Sequence, residues 1–232
     1  MAKKRISDVL IEVLANAGIE RIYGITGDSL NSVNDSLRRN GKIAFEHVRH
    51  EETAAFAAGA EASLTHKLTV CAGSSGPGNL HLINGLFDCH RNRVPVLAIA
   101  SHIPQSEVGL NYFQETHPEN LFKECSCFCE LVSNPKQMPE ILFRAMNAAV
   151  GNQDVAVIVL PGDVAVMEME IDELPVWNPP RLPHIVPQRE DIEEMAAHLE
   201  TGKRITLFCG AGCEGAHDEV VELAKRLQAP VV

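Results

Sequence analysis

Leu68-Thr69-Val70-Cys71-Ala72-Gly73-Ser74-Ser75-Gly76-Pro77-Gly78-Asn79 is an apolar run, then a glycine-rich turn, then the opening of a helix that continues to about residue 90. A short apolar run without alternation suits a strand covered on both faces, and a strand that hands over to a helix is one step of a β-α-β unit. The same alternation extends in both directions. Upstream, Ile6, Val9, Leu10, Val13 and Leu14 have helical spacing, residues 21–25 read as a strand, and a helix opens near Asp28 and Ser29. Ile43, Phe45 and Val48 suggest another strand, which runs into an alanine-rich helix from about Glu51. Downstream come a strand over 94–100, a loop, a strand near 127–131, a helix over 137–150 and an apolar strand over 155–160. This order predicts the α/β class, a parallel sheet flanked by helices.

Pro175, Pro179, Pro180, Pro183 and Pro187 crowd a stretch too dense in proline for regular elements, as expected of an extended tether. We therefore expect a first domain over 1–172, a linker over 173–188 and a second α/β domain beginning at 189. That second part reads as a helix over 189–199, a strand over 204–209, the turn Gly210-Ala211-Gly212-Cys213-Glu214-Gly215 and a helix over 218–227. Its last residues, Ala229-Pro230-Val231-Val232, look like the start of a strand, so this domain is expected to be truncated or completed by a partner.

With 45% hydrophobic residues the chain can bury a core, and 20 basic against 31 acidic residues, a formal charge of −11, argue against a nucleic-acid surface. The basic start at Lys3, Lys4 and Arg5 is interrupted by Asp8 and Glu12, which suits an amphipathic first helix better than a signal segment. No run approaches the roughly 20 apolar residues of a spanning helix. Seven cysteines without secretory context favour the reducing cytoplasm over a disulfide framework. Cys125, Cys127 and Cys129 would share one face if their segment is a strand; as small hydrophobes they fill a core, and the alternative is a metal or redox site, although metal ligands are usually spaced more widely.

The chemistry gathers at Val48-Arg49-His50-Glu51-Glu52-Thr53-Ala54-Ala55. A carboxylate where a strand becomes a helix costs several kcal/mol to bury unpaired, so Glu51 either favours the helix dipole from the surface or meets a base or a ligand that uses its proton. Glu52 reads as a solvated neighbour. Ten histidines are present, yet none makes metal-ligand spacing with a nearby acid, and they are expected to be structural. The loop at Gly73 lacks the Gly-Lys-Ser/Thr ending of a triphosphate cradle. Gly210, Gly212 and Gly215 fit the dinucleotide fingerprint literally, but the acidic ribose partner would fall beyond the last residue.

Taken together, RHEETAAFAAGAEA at 49–62, GSSGPGN at 73–79 with its continuation HLINGLFDCHRNRVPVLAI, and GITGDSLNSVNDSL at 24–37 resemble the pyrimidine-binding domain of thiamine-diphosphate enzymes. Within that superfamily the chain is most similar to bacterial pyruvate oxidases of the pyruvate:quinone dehydrogenase type. The resemblance implies that Glu51 hydrogen-bonds N1′ of the cofactor's aminopyrimidine and favours its imino tautomer, that Gly76, Pro77, Gly78 and Asn79 line the pyrimidine pocket, and that Phe113 and Gln114 belong to the substrate channel. It also implies thiamine diphosphate and FAD as cofactors, with Gly210 and Gly212 close to the flavin, and Mg2+ held by ligands outside these residues. No metal ligand is expected in the chain itself. The implied reaction is oxidative decarboxylation of pyruvate to acetate or acetyl phosphate, with quinone or oxygen as electron acceptor, in a homodimer or homotetramer. The chain alone would be inactive, and any peripheral contact with the inner membrane would rest on regions outside it. The rival readings are acetolactate synthase or a non-oxidative 2-keto acid decarboxylase, a folded module without catalysis, and a nicotinamide dehydrogenase resting on Gly210 to Gly215.

Overall fold

The structure, a computed structural model, describes residues 2–232, which divide into two compact units, 2–182 and 183–232. The first unit runs β1 (Ala2–Arg5), α1 (Ile6–Asn16), β2 (Arg21–Gly24), α2 (Asn31–Asn40), β3 (Ala44–His47), α3 (Glu51–Thr65), β4 (Thr69–Gly73) and α4 (Pro77–Asn92). It continues with β5 (Val96–His102), a short α5 (Pro118–Leu121), β6 (Phe128–Leu131), α6 (Met138–Asn152), β7 (Val155–Pro161), a short α7 (Gly162–Val166) and β8 (Glu168–Ile171). The second unit carries α8 (Arg189–Thr201) and α9 (His217–Leu227).

Six strands form a parallel sheet in the order β3-β2-β4-β5-β7-β6, the α/β architecture that the alternation predicts. Every residue of β5 and β7 is buried, because helices cover both faces. Leu97, Ile99, Ala156, Ile158 and Leu160 enter a core shared with α1, α2 and α6. Their neighbours Val96, Ala98, Ala100, Val155, Val157 and Val159 enter a second core under α3 and α4. The alanines of α3 let it approach α4 almost backbone to backbone. A side chain at Gly85 of α4 would come 2.6 Å from Ala55 Cβ and 2.7 Å from the Glu52 carbonyl. The two helices therefore start side by side at the carboxyl edge of the sheet.

The structure departs from the sequence reading in three places. Residues before Ile6 extend no helix: β1 pairs antiparallel with β8, setting Lys3 against Glu170 and Arg5 against Glu168. Opposite charges across a strand pair favour that register, but the partner strand is remote in sequence and local periodicity cannot reveal it. Cys125 and Cys127 sit in bends ahead of β6, so the three thiols do not share a strand face. Cys125 is buried, Cys129 half-buried and Cys127 exposed, and all three are free. In the second unit no strand spans 204–209; Leu207 makes a single parallel bridge with Val231.

The proline-rich stretch has no regular element after Ile171, yet its first part packs on the first unit: Trp177 is buried and donates from Nε1 to Asn147 Oδ1 at 2.9 Å. Among the described residues no helix is long and apolar enough to cross a membrane.

Candidate functional site

In the sheet order β2 lies between β3, which follows it in the chain, and β4, so successive connections leave in opposite directions at the β2/β4 boundary. The loops beyond those two strands diverge there, and such a switch point is where open α/β sheets take ligands. Ser29 ties the loop after β2 to the loop after β4 and to the end of β5. Its Oγ accepts the Ser75 N–H at 2.9 Å, and its carbonyl accepts the Ser101 hydroxyl at 2.6 Å. Asn79 works from below: fully enclosed, it donates from Nδ2 to the Ser101 carbonyl at 2.7 Å, while its backbone N–H bonds the Ser74 carbonyl at 3.0 Å. Among the described residues its Oδ1 has no partner.

Glu51 is the first residue of α3 and falls on the face that buries Ala54, Ala55, Ala58, Gly59 and Ala62, so the helical period turns its side chain inward. It is 7% exposed. His50 precedes it in extended conformation and caps the helix, its Nδ1 accepting the Glu52 N–H at 3.3 Å. The amino end of α3 favours a negative charge at this position. One carboxylate oxygen, Oε2, lies 3.0 Å from His81 Nδ1 on α4. The other, Oε1, faces Gly78, where a Cβ would stand 3.3 Å from it and 2.7 Å from Ser74 Oγ. Among the described residues the carboxylate thus has one hydrogen-bond partner, on one oxygen, and beside the other a notch that any side chain on Gly78 would fill. Glu52 turns away to Asn84 Nδ2.

Gly76 has φ +68° and ψ −113°, outside the range of residues with a side chain, and a Cβ there would lie 2.8 Å from the Gln114 carbonyl. The fold therefore lays the loop carrying Gln114 directly on the glycine turn. Glu115 braces that loop, accepting the N–H groups of Gly109 and Tyr112 at 2.5 and 3.1 Å, and these donors hold its carboxyl below the usual range. Phe113 is 80% exposed and borders, with Gln114, Asp28, Ser29 and His102, a cavity of about 300 Å3. His102 is buried with Nδ1 unpaired, and burial lowers its pKa. A hollow of about 360 Å3 at the opposite, amino-terminal edge of the sheet offers less chemistry: its acids Glu20 and Glu61 are both paired with Arg21, at 3.2 and 2.9 Å.

Of the expected site residues, Glu51 meets Gly78, Gly76 meets Gln114, and Gln114 and Phe113 border one cavity, whereas Pro77 begins α4. Gly210 and Gly212 belong to the second unit, where a Cβ on either would meet nothing within 4 Å.

Sequence reasoning missed His81, which stands 30 residues from its carboxylate and carries no local signal. The fold also gathers a ligand atom each from His50, Glu51 and His81 within 4.8 Å. The two imidazoles are stacked, centroids 4.3 Å apart and planes 26° apart. A metal must lie near the plane of each ring that ligates it, and rings stacked in this way share no such point without one of them turning.

The family description "Thiamine pyrophosphate enzyme, N-terminal TPP binding domain" matches residues 4–121. The chain is 58% identical, over its whole length, to an uncharacterized 42.6 kDa protein in the isoamylase 3′ region of Pseudomonas amyloderamosa. It is 32% identical over 96% of its length to pyruvate oxidase of Lactiplantibacillus plantarum, and 32% identical over 99% to acetolactate synthase of Arthrospira platensis. It spans 59%, 38% and 42% of those three proteins.

Proposed function

The chain belongs to the thiamine pyrophosphate enzyme family, and on that premise we propose that it supplies the pyrimidine-binding half of an enzyme that decarboxylates pyruvate. The observation that carries this reading is the division of the Glu51 carboxylate, with Oε2 held by His81 and Oε1 beside the notch at Gly78. A ring nitrogen entering that notch meets a buried acid able to give or take a proton, and Glu51 is assigned as that acid. When bound, thiamine diphosphate supplies the carbon nucleophile and the electron sink for the decarboxylation. Gly76 and Gly78 let backbone approach the ring, Pro77 starts the helix behind them, and Asn79 holds the loop to β5 from below. Phe113 and Gln114 bound the side on which a small 2-keto acid enters and keep water from it.

The finer reading is a pyruvate oxidase of the quinone-dehydrogenase type, forming acetate or acetyl phosphate and passing electrons through FAD to quinone or oxygen. It is supported by the likeness to a pyruvate oxidase. Gly210 and Gly212, whose turn is open to approach, are kept as the residues nearest the flavin, and no step is assigned to them. We place Mg2+ and its ligands outside this chain, assign 1–172 to the pyrimidine domain and 189–232 to the opening of a central domain, and expect a homodimer or homotetramer. An acetolactate synthase of equal identity makes that reaction the second reading.

The test uses the full-length enzyme loaded with thiamine diphosphate, Mg2+ and FAD, with flavin absorbance followed anaerobically after pyruvate is added, alongside Glu51→Gln. Bleaching that the variant loses by about 10²-fold or more supports the oxidase reading. Carbon dioxide released with the flavin still oxidised supports the synthase, and a Glu51→Gln rate equal to wild type overturns the role of Glu51.

A further inference from the structure

The two imidazoles beside Glu51 are not equivalent. His50 spends its Nδ1 lone pair on the amino end of α3, accepting the Glu52 N–H, so a proton on the neutral ring sits on Nε2. His81 directs Nδ1 to Glu51 Oε2 at 3.0 Å, and an ionised carboxylate only accepts, which fixes the proton of neutral His81 on Nδ1. Exposure differs as sharply: the Glu51 side chain is 9% exposed, whereas that of His81 is 44% exposed. The hydrogen bond that joins the buried acid to a titratable side chain therefore runs to a ring that reaches solvent. The stack on His50, with its 4.3 Å centroid separation, holds that ring in place.

We propose that His81 is the positioning residue of Glu51 and its proton outlet. The inference rests on the reading of Glu51 as the acid facing the cofactor. By tying down Oε2, His81 leaves Oε1 as the atom presented to the notch at Gly78. By standing between Oε2 and water, it loads and unloads the carboxyl. The step balances without a co-reactant: water delivers a proton to His81 Nε2, the Nδ1 proton crosses to Glu51 Oε2, and the ring returns neutral with its remaining proton on Nε2. Unloading reverses this, so each change in the protonation of Glu51 flips the tautomer of His81.

The tautomer is read directly in this chain by long-range 1H–15N correlation of the imidazoles. Wild type is expected to show His81 as the Nδ1–H form at a pH where Glu51 is ionised, and Glu51→Leu to move it to Nε2–H. In the full-length enzyme loaded with thiamine diphosphate and Mg2+, exchange of the cofactor C2 proton with deuterium is followed by acid quench and NMR. His81→Ala is expected to slow exchange at least about tenfold, with added imidazole restoring most of the rate and cofactor affinity staying within about threefold. His81→Gln keeps a donor for Oε2 but relays no proton, so it should bind the cofactor like wild type and exchange as slowly as His81→Ala; this variant decides the matter if the alanine form fails to fold. A wild-type His81 found as Nε2–H, or His81→Gln exchanging at the wild-type rate, or His81→Ala slowed without rescue, overturns the proton outlet. Should exchange fail in Glu51→Gln yet stay intact in both His81 variants, the inference falls and the reading of Glu51 stands. Wild-type exchange in Glu51→Gln overturns both.

Discussion

At Gly78 the absence of a side chain has a chemical consequence, because the space a methyl group would take is the space beside the free oxygen of Glu51. A methyl there would sit 2.7 Å from Ser74 Oγ and 3.3 Å from Glu51 Oε1. Both are side-chain atoms with some freedom to yield, so Gly78→Ala should fold and lose ligand space instead. We expect its affinity for thiamine diphosphate to fall about tenfold, near 1.4 kcal/mol, in a binding titration of the full-length enzyme. Ser74→Gly in the same background removes the nearer obstacle and should recover part of the loss; full wild-type affinity in Gly78→Ala alone would mean that no ring occupies the notch. At this scale the sequence was legible where motif and chemistry coincide. Glu51 and the glycine turn stand out because a buried acid and a run of glycines are both costly without a reason. His81 and Ser29 do not stand out, since their meaning lies in partners 30 and 46 residues away.

Among the elements, α3 and α4 bear most directly on the site, since their contact sets the distance between Glu51 and His81. That contact is made by small residues: a Cβ on Gly59 would lie 2.6 Å from Cys89 Sγ, and the Cys89 thiol already donates to the Ala55 carbonyl at 3.4 Å. Gly59→Ala should therefore destabilise by about 1–3 kcal/mol through overpacking. Cys89→Ala removes the obstructing sulfur, and the double variant should be more stable than the sum of the two losses allows, by about 1 kcal/mol or more, in urea unfolding. Strict additivity would show that the helices separate freely, and that Glu51 and His81 are not held at a fixed distance by this seam. The alanine-rich helix itself was legible from sequence, and its small residues at helical spacing are what permit such close packing. The pairing of β1 with β8 was not announced, because four residues at each end of the first unit carry no periodicity that names a partner.

Over the whole molecule, the sheet and its two covered faces follow from strands too apolar to be open on either side, but stability is distributed unevenly. No residue of 183–232 is buried, and α8 and α9 leave Ile192, Met195 and Leu223 exposed, so this unit should exchange its amide hydrogens and be cleaved by protease well before the first unit opens. Equal protection in both units would contradict this. The first unit instead has a weakness to alkali built into its core under α3 and α4, which encloses Cys71, Cys89 and Cys125. Burial pushes the Cys89 thiol from its ordinary 9.0 to about 12 and Cys125 to about 11, and raises Cys71 well above its ordinary value. Below pH 9 folded and unfolded chains both hold these protons, and stability is indifferent to them. Between about pH 9 and 11 the unfolded chain releases protons that the folded core retains, so the unfolded state binds fewer and stability must fall as pH rises, by at most about 1.4 kcal/mol per pH unit for each thiol. Other ionisations add to the same curve, so the informative quantity is a difference: Cys89→Ala and Cys125→Ala should each flatten the decline in urea-unfolding free energy across that window relative to wild type. Parallel curves would mean that these thiols reach solvent in the folded state, and that the seam between α3 and α4 opens far more readily than its packing implies.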